Sequence, residues 1–340
     1  MFAGKYAAMR RLAVVALFAW SACGQFVSAK SYATIPKVVW LAASVPDSAR
    51  IEISKIVKTD STAQVKIATQ GSCATKGSYL VTTRVGVCKI EMRLAATQRF
   101  VALTSSAVIE VKKKTELTVL AAASLAKAFE AIGKVFMAKF LHVSVRFNFA
   151  GSATLATQIR QGAPVDIVAM ADTANIEKVV SFGDIERKSV RTLVRNQLTI
   201  LVQRGNPQKI ASLNDLTRVG LKVVLCDIAQ PCGKYAATVL AKADVSFTVA
   251  SREASASGVV LRVGLGEADA GIAYVTDGLI AGDEIEAIKI ADNLNLFVDY
   301  PIGIAVSPTT KDESVISSFM AMVSSKVGHQ IFVSNGFILP

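Results

Sequence analysis

The sequence predicts two α/β lobes preceded by a small all-β domain. The chain has 340 residues, of which 52% are hydrophobic, and this is enough to bury two or three cores. Residues from about 33 to 112 are rich in Thr, Val, Ile and Ser without helical periodicity, whereas strand and helix patterns alternate after Glu116. Because about 225 residues follow that point, which is large for a single sheet, we expect them to form two lobes.

Residues 1–29 have the pattern of an export signal. Lys5, Arg10 and Arg11 give a positive start, and the apolar run 12–20 is too short to span a bilayer. Val27-Ser28-Ala29 is typical of a peptidase site, so cleavage is expected after Ala29. The protein is therefore predicted to be exported, to the periplasm or to the extracellular face of the cytoplasmic membrane.

A lipoprotein anchored at Cys23 is the alternative. The preceding Trp20-Ser21-Ala22 departs from the usual lipobox, which has a small or medium aliphatic residue in place of the tryptophan. Later segments do not reach eighteen uninterrupted apolar residues, so the mature chain is not expected to cross the membrane. The free and the lipid-anchored forms both stay open.

The formal net charge of +12 is unevenly distributed. Residues 30–115 carry fourteen basic and five acidic side chains, while residues 116–340 carry 21 of each. The basic excess thus belongs to the signal and the all-β domain, where it favours an anionic cell envelope as a partner or, alternatively, only a well-solvated surface. Nucleic acid is not expected as a partner, because the exported chain has no aromatic-basic platform.

The all-β domain, residues 30–112, is predicted to be a β-sandwich. Short segments such as 64–67 and 79–82 alternate as strands do. Cys73 and Cys88 are expected on neighbouring strands of a hairpin. This arrangement resembles bacterial immunoglobulin-like surface repeats, which often carry a cysteine on each of two such strands.

Lys112-Lys113-Lys114 is predicted to be a polar hinge, after which strands and helices alternate. Residues 125–140 carry apolar side chains at helical spacing, and a second helix is expected near 153–160. Strands are predicted at residues 116–121, 143–149, 165–169, 198–202, 222–225, 270–274 and 301–306. Repeated units of this kind predict parallel sheets with helices on both faces.

Three helices are predicted to begin with small residues directly after a strand, at residues 121–124, 149–152 and 230–233. Such a start exposes unpaired N–H groups at the positive end of the helix dipole, and both favour an anion. Gly151 and Gly233 are expected to let a bound group approach the backbone. A serine at such a start has the alternative role of an N-cap, but the carboxyl edge of the strands is where open α/β sheets bind ligands.

Seven short segments after residue 116 share their order and spacing with a known family. They are LAAASL at 120–125, FAGSATL at 149–155, QGAPVD at 161–166, PCGKY at 231–235, GEADAGIAY at 266–274, YPI at 300–302 and NGF at 335–337. On these segments, residues 116–340 resemble the periplasmic molybdate-binding protein family. The resemblance implies a two-lobe α/β periplasmic binding protein fold (type II-like) that captures molybdate, and tungstate as well, for an ABC importer.

By this resemblance, five residues would hold the oxyanion: Ser124, Ser152, Cys232, Ala256 and Tyr274. The serines would give hydroxyl and N–H groups, Cys232 and Ala256 their N–H groups, and Tyr274 its phenol. Such a site contains donors and no counter-charge, because several aligned dipoles can replace the hydration of a dianion. The match is weakest at Ala256, where a shift of one residue stays open. No cofactor is implied.

A lining of donors alone would also select among oxyanions. Phosphate often keeps a proton near neutrality, and that proton would find no acceptor. Sulfate has the charge of molybdate but is smaller, so the size of the cavity would have to exclude it. Tungstate matches molybdate in shape and charge, and nothing in the sequence separates the two.

Export permits disulfides, so the four cysteines after the signal are expected to form two local pairs. Cys73 would pair with Cys88, and Cys226 with Cys232. The second bond would pin the turn that presents the Cys232 N–H; two buried free thiols are the alternative. Many members of the resembled family have alanine at this position.

An enzyme is not predicted. A nucleophilic Ser124 or Ser152 would need a base, and no motif places His142 or His329, the only histidines, beside either serine. Both histidines are interpreted as surface residues. Four aspartates are interpreted as caps or hinge-region acceptors, since carboxylates near the ligand would repel a dianion: Asp166, Asp172, Asp269 and Asp277.

The crossings between the lobes are predicted near residues 195–198 and 296–302. The first lobe then comprises about 116–196 and 300–340, and the second about 197–299. Molybdate would bridge the cleft and favour its closed state, which the membrane permease with its cytoplasmic ATPase would recognise. The protein is expected to be a monomer.

Two other functions are left open by the sequence. One is a receptor for another oxyanion or small solute at the same helix starts. The other is an envelope-binding or adhesion protein acting through the basic all-β domain. Deleting residues 30–112 would separate the last function from the first, since capture of the anion should survive the deletion.

Overall fold

The computed structural model describes residues 33–340. The predicted signal, its cleavage after Ala29 and the lipidation alternative at Cys23 lie outside the described residues. Within residues 33–340, the helices are all too short or too polar to cross a membrane.

Nine short strands form the β region, defined as residues 33–112. They are β1 (Val38–Trp40), β2 (Ser44–Pro46), β3 (Arg50–Glu52), β4 (Val57–Thr59), β5 (Val65–Gly71), β6 (Cys73–Lys76), β7 (Tyr79–Thr82), β8 (Gly86–Leu94) and β9 (Leu103–Lys112). One sheet has the order β2-β9-β8-β5, another has the order β3-β7-β6, and β1 pairs with β4. Strand β8 buries every second side chain from Cys88 to Leu94, as expected for a strand with one face on a core.

A disulfide between Cys73 and Cys88 joins the two larger sheets, with the Cα atoms 5.4 Å apart. The pairing was predicted, but the placement on one hairpin is wrong. Cys73 begins β6, which pairs with β7, whereas Cys88 lies on β8, which pairs with β5 and β9. The chain leaves the sheet β2-β9-β8-β5 after Gly71 and returns to it at Gly86. The disulfide therefore connects two sheets rather than two adjacent strands of one sheet.

The α/β region, residues 115–340, contains nine strands and eight helices. The strands are β10 (Thr115–Ala122), β11 (Val143–Ala150), β12 (Ile167–Ala169), β13 (Arg191–Gln203), β14 (Val223–Cys226), β15 (Val249–Glu253), β16 (Ala270–Tyr274), β17 (Ile285–Lys289) and β18 (Phe297–Ile304). The helices are α1 (Ala126–Lys139), α2 (Ser152–Arg160), α3 (Thr173–Ser181), α4 (Pro231–Lys242), α5 (Ala256–Gly264), α6 (Val275–Ala281), α7 (Glu313–Val323) and α8 (Lys326–Ser334). All seven predicted strands are present, and two further strands, β15 and β17, were not predicted.

Both parallel and antiparallel pairs occur in this region. The strand order is β11-β10-β12-β18-β13-β16-β14-β15, with β17 beside β13. Strand β10 pairs in parallel with β11 and β12, and β14 does so with β15 and β16. Strands β13 and β18 are antiparallel to all their neighbours. The prediction of purely parallel sheets is therefore wrong at the centre, because these two strands run between lobes rather than closing a βα unit.

Strands β13 and β18 connect the two lobes. Residues 191–197 of β13 pair with β18, and residues 198–203 pair with β16 or β17. The first lobe contains β10–β12 with α1–α3, α7 and α8, and the second contains β14–β17 with α4–α6. The crossing predicted at 195–198 falls on β13, and the one predicted at 296–302 begins one residue before β18.

Aromatic side chains fill the first lobe where α1, α7 and α8 meet. Phe136 of α1 lies 5.2 Å from Phe319 of α7, and Phe129 lies 5.9 Å from Phe332 of α8, measured between ring centroids. All four rings are fully buried. Such edge-to-face pairs each contribute about 0.5–1.5 kcal/mol beyond the burial of their area. They fix both C-terminal helices against the helix that follows Ser124.

The β region docks against the first lobe. Residues 113–114 alone separate β9 from β10. The Ala43 N–H donates to Lys139 O at 2.7 Å, and the Leu141 N–H donates to Ser44 O at 3.0 Å. These bonds join β2 to the end of α1. The predicted hinge is therefore a two-residue connection, and hydrogen bonds between the two regions lie close to it.

His142 lies in this contact and is 3% exposed. Its Nδ1 is 2.7 Å from Ser44 Oγ, and its Nε2 has no hydrogen-bond partner within the described chain. Burial, followed by the charge of Lys112, lowers the pKa of His142. Its interpretation as a surface residue is wrong, because docking of the β region covers it. His329, by contrast, is half-buried on α8.

Candidate functional site

A cavity of about 440 Å³ lies between the two lobes. The five residues predicted to hold an anion all line it: Ser124, Ser152, Cys232, Ala256 and Tyr274. The two serines come from the first lobe and the other three residues from the second. The volume lies within the roughly 300–1,000 Å³ usual for small-molecule clefts. The fold thus brings together residues that are up to 150 positions apart in the sequence.

Ser152 presents a hydroxyl whose oxygen is already engaged. It is the first residue of α2, and Gly151 is the N-cap of that helix. Its Oγ accepts the Ala171 N–H at 2.9 Å, so its hydrogen is available to a ligand. The alternative role of Ser152 as an N-cap is excluded, because its oxygen bonds to a different segment. The first N–H groups of α2 lack partners within the helix.

Ser124 lies in a single 3-10 turn, Ala123–Leu125, that directly follows β10. Its side chain caps neither this turn nor α1. The Ser124 Oγ is 3.2 Å from the Oη of Tyr300, a fully buried residue of β18. This hydroxyl is therefore also held from behind by a second polar group.

Cys232 and Ala256 lie in the first turns of two helices of the second lobe. Pro231 begins α4 at the position where a missing N–H costs nothing, and Cys232 follows it. Ala256 begins α5, whose N-cap Ser255 accepts the Gly258 N–H at 3.1 Å. Both helices therefore direct first-turn N–H groups and the positive ends of their dipoles toward the cavity.

The predicted disulfide between Cys226 and Cys232 is formed, with the Cα atoms 5.8 Å apart. It ties the last residue of β14 to the second residue of α4. Gly233 follows in the most crowded part of this turn, where an added Cβ would collide with the backbone oxygen of Asp227. The expectation that Gly233 makes room for a ligand is thus wrong; it makes room for the preceding turn. A Cβ at Gly151 would meet only Thr154 Oγ1, at 3.8 Å.

Tyr274 has a phenol that is buried and has no hydrogen-bond partner within the described chain. The residue is 5% exposed and ends β16. Burial, followed by the nearby phenols of Tyr300 and Tyr235, raises the pKa of Tyr274, so it remains a protonated donor. A buried hydroxyl without a partner costs about 1–3 kcal/mol, and this cost would be recovered by a ligand that accepts its hydrogen.

Two of the four aspartates considered in the sequence line the cavity, and both accept backbone N–H groups at helix starts. Asp172 accepts the Asn175 N–H at 2.7 Å, and Asp277 accepts the Tyr274 N–H at 3.1 Å. Burial raises the pKa of Asp277 to about 6, so a neutral carboxyl is accessible just below neutrality. Asp166 and Asp269, which do not line the cavity, likewise accept N–H groups, from Thr118 and Lys222 respectively.

Two lysines also line the cavity, Lys178 of α3 and Lys234 of α4. Both residues are exposed, one on each lobe, and the Lys178 Nζ donates to Asn175 Oδ1 at 3.4 Å. Donor groups thus line the cleft together with the two helix-capping aspartates and these two lysines.

Sequence reasoning missed the cleft residues Tyr235 and Asn175. Burial, followed by the charges of Asp172 and Asp299, raises the pKa of Tyr235. The signal for Tyr235 was present, since it follows Cys232 by three positions and lies on the same side of α4. Asn175 donates its Nδ2 to both carboxylate oxygens of Asp172, at 3.0 and 2.8 Å, a contact that no local pattern reveals.

A model of bacterial extracellular solute-binding proteins matches residues 117–338. The chain belongs to this family. It is 37% identical over 224 residues to the molybdate-binding protein ModA of Mycobacterium tuberculosis, a match that covers 66% of this chain and 85% of that protein. To the molybdate-binding protein ModA of Escherichia coli it is 27% identical over 233 residues, covering 66% of this chain and 89% of the other.

A solved structure of the same fold is the periplasmic molybdate-binding protein of Azotobacter vinelandii. It aligns with a TM-score of 0.56 at 20% identity and covers 66% of this chain and 99% of that chain. This likeness confirms the predicted two-lobe α/β binding-protein fold. Membership of a family of extracellular solute-binding proteins also confirms the predictions that the protein is exported and binds a solute rather than acting as an enzyme.

Proposed function

We propose that the protein captures molybdate outside the cytoplasm and delivers it, as a monomer, to the permease and ATPase of an ABC importer. The observation that carries this proposal is the convergence of two serine hydroxyls, three helix starts and the unpartnered Tyr274 phenol on one cleft. Two relatives named as molybdate-binding proteins, each aligned over 66% of this chain, support this choice of solute.

A tetrahedral dianion would be held by donors from both lobes. Ser124 and Ser152 supply hydroxyl hydrogens, and the first turns of α2, α4 and α5 supply N–H groups. Tyr274 donates its phenol hydrogen. Hydrogen bonds to an ionised acceptor are about twice as strong as neutral ones, so this set can replace the hydration of the anion.

The charged groups around the cleft divide their roles by position. Lys178 and Lys234 are exposed and raise the local concentration of anions by steering, an effect that salt screens. Asp277 is buried, and its raised pKa of about 6 reduces its repulsion of the anion below that pH. Asp172 already receives hydrogen bonds from the backbone and the side chain of Asn175.

Closure of the cleft would complete the site. The donors belong to different lobes, and a cavity of about 440 Å³ leaves room around a single four-oxygen anion. An anion that contacts both lobes binds the closed state more tightly and shifts the population toward it. Strands β13 and β18 are the connections across which the lobes would rotate.

Tungstate should bind as molybdate does, because it has the same shape and charge. Phosphate that retains a proton would be disfavoured, since the hydroxyls and N–H groups act as donors and the carboxylates of Asp172 and Asp277 already accept other N–H groups. Sulfate would be disfavoured by its smaller size, as the donors of the two lobes would not all reach its oxygens.

Calorimetric titration of the purified protein with molybdate, tungstate, sulfate and phosphate tests this proposal. The expected result is tight one-to-one binding of molybdate and tungstate alone. Equal binding of sulfate would retain an oxyanion receptor and reject the size argument. If all four titrations gave no heat of binding, a receptor for another solute would take the place of this proposal.

We further propose that the β region is an immunoglobulin-like domain separate from the binding domain, which comprises residues 116–340. Its two larger sheets, the disulfide across them and its own core of Leu80, Ile90 and Ile109 support this division. Export by a signal in residues 1–29, with cleavage after Ala29 or lipidation at Cys23, belongs to the same proposal. Mass spectrometry of the mature N-terminus separates cleavage from lipidation.

A second role is favoured by the charge of the β region. Lys66, Lys89 and Arg93 are exposed on one face of the sheet that contains β5 and β8, and Lys66 lies directly opposite Arg93. We propose that this face contacts the anionic cell envelope. Replacing the three with glutamine should abolish sedimentation with anionic vesicles and leave molybdate binding unchanged. Unchanged sedimentation would reject the contact.

A further inference from the structure

Behind Ser124 lies a chain of buried polar groups that the proposed binding site does not itself use. Tyr300 of β18 and Asn196 of β13 are both fully buried, and Thr276 of α6 is 1% exposed. The Asn196 Nδ2 lies 3.1 Å from Tyr300 Oη and 3.0 Å from Thr276 Oγ1. The Tyr300 Oη lies 3.2 Å from Ser124 Oγ. The chain thus runs from the first lobe, across both connecting strands, to the second lobe.

The orientation of the Asn196 amide sets the direction of these hydrogen bonds. Its Oδ1 accepts the Gln197 N–H at 2.9 Å, which places the NH₂ group toward Tyr300 and Thr276. An amide NH₂ only donates, so Tyr300 Oη must accept from Asn196. At 3.2 Å either hydroxyl of the pair Tyr300 Oη and Ser124 Oγ could donate to the other. Buried hydroxyl groups rarely leave a hydrogen unpaired, so we assign the phenol hydrogen of Tyr300 to Ser124 Oγ.

The direction of the Tyr300 hydrogen bond decides where the hydroxyl hydrogen of Ser124 points. If Tyr300 accepted from Ser124, the serine hydrogen would point away from the cleft and a lone pair would face the ligand. Because Tyr300 donates instead, Ser124 keeps its hydrogen for a group in the cavity. Ser152 has an equivalent support, since its Oγ accepts the Ala171 N–H.

We infer that Tyr300, oriented by Asn196, is a positioning residue that holds the Ser124 hydroxyl as a donor toward the bound oxyanion. This inference rests on the proposed capture of an oxyanion and deepens it, because it assigns the donor character of the site to residues that do not touch the ligand. Tyr300 acts entirely through Ser124, so its effect on affinity should require the Ser124 hydroxyl.

A double-mutant cycle tests this dependence, with molybdate as the titrated ligand. Tyr300→Phe should weaken binding roughly three- to tenfold, the range expected for one hydrogen bond. Ser124→Ala should weaken binding more, because it removes the donor itself. Adding Tyr300→Phe to Ser124→Ala should then change the Kd less than twofold.

The control is Thr199→Val, on the same connecting strand as Asn196. It removes a buried hydroxyl that donates to Ile288 O at 2.8 Å, away from the cavity. This variant should lower the Tm and leave the Kd unchanged, which shows that loss of a buried hydroxyl on this strand does not by itself weaken binding. Thermal melts of all variants confirm that each is folded.

The outcomes distinguish a failure of the proposed function from a failure of the positioning role of Tyr300. A wild-type protein that does not bind molybdate would reject the proposed function. Tight wild-type binding with an equal loss on Tyr300→Phe in both backgrounds would reject the positioning role and leave a purely structural one. Tight wild-type binding with no loss in Tyr300→Phe would reject it as well.

Discussion

The two halves of the cleft satisfy their polar groups differently. In the first lobe, Ser152 accepts a backbone N–H and Ser124 lies against Tyr300, so each hydroxyl is held by a second hydrogen bond. In the second lobe, the Tyr274 phenol is buried without a partner within the described chain. The two serine hydroxyls of the first lobe are therefore held in place before a ligand arrives, whereas the Tyr274 phenol of the second lobe is not.

This difference assigns separate energetic roles to the lobes. A preorganised hydroxyl loses little freedom when it donates to a ligand, so the first lobe contributes affinity by avoiding an entropic cost. An unpaired buried phenol gains a hydrogen bond that the empty protein lacks, so the second lobe contributes by recovering a desolvation cost. Removing the Ser152 hydroxyl and removing the Tyr274 hydroxyl should therefore change stability in opposite directions, while both changes weaken binding.

Ser152→Ala should give the largest loss of affinity. It removes a hydrogen bond to a dianion, about 1.5–3 kcal/mol, which is roughly 10- to 150-fold in Kd. It also leaves the Ala171 N–H without its acceptor and should destabilise the empty protein by about 1 kcal/mol. Calorimetry and thermal melts measure the two effects.

The matched control is Ser181→Ala, which changes an exposed serine on α3 outside the cavity and should alter neither the Kd nor the stability. Unchanged molybdate affinity in Ser152→Ala would remove the proposed site.

Tyr274→Phe should weaken molybdate binding about tenfold and at the same time raise the Tm of the empty protein. The variant removes a buried hydroxyl that has no partner, so the empty state loses an unfavourable group rather than a contact. The opposite signs of the two effects distinguish this residue from Ser152. A fall in the Tm would show that the phenol is satisfied in the empty protein, and the contrast between the lobes would not hold.

Removing the Cys226–Cys232 disulfide with two alanines should weaken binding a few-fold. The bond closes a loop with a sequence separation of 6, so its loss should cost about 2 kcal/mol of stability. The pair Cys73–Cys88 is the matched control, with a separation of 15 and an expected cost of about 3 kcal/mol. Its removal should lower stability more and leave affinity unchanged. Equal affinity losses for both pairs would point to general destabilisation.

Asp277→Asn should have the smallest effect, a change of about two- to threefold in Kd that depends on pH. Burial raises the pKa of Asp277 to about 6, above its ordinary value of 3.8. The native state therefore holds this proton more tightly than the unfolded chain, and its stability falls as the pH rises from about 4 through about 6. Ionisation also repels the anion, so wild-type affinity should fall as the pH rises through about 6.

In Asp277→Asn this fall in affinity should disappear, while the amide oxygen can still accept the Tyr274 N–H. Titrations of both proteins between pH 5 and 8 measure the difference. Asp269→Asn, which changes a half-buried aspartate outside the cavity, should keep the wild-type pH profile. A pH profile in Asp277→Asn that matches the wild type would assign the dependence to another group.

Local patterns in the sequence predicted seven of the nine strands of the α/β region and three of the segments that line the cleft. Ala256 and Tyr274 were predicted only through the family resemblance, and Tyr235 and Asn175 were not predicted. Small residues between a strand and a helix mark Ser124, Ser152 and Cys232 because this chemistry is confined to a few consecutive positions. The two-lobe division followed from length and from the alternation of elements. What these patterns could not give was the direction of β13 and β18, because strand direction depends on pairing between distant segments.

Contacts between regions were equally inaccessible to the sequence. His142 looks like an ordinary polar residue before a strand, and only the docking of Ser44 makes it buried. Tyr300 and Asn196 are 104 positions apart, and their hydrogen bond exists because two antiparallel strands cross the cleft together. Gly233 was assigned to the ligand, although its space is filled by the backbone of Asp227.

The β region docks on one lobe only, so the two bodies that move when the cleft closes differ in size. All the contacts described for it, through Lys139, Leu141 and His142, lie on the first lobe. The β region and the first lobe should therefore move together as one rigid body when the cleft opens and closes. The second lobe, which is smaller than that body, should rotate relative to it. A label on the second lobe would report this motion most sensitively. A partner that binds the β region would leave the second lobe free to rotate.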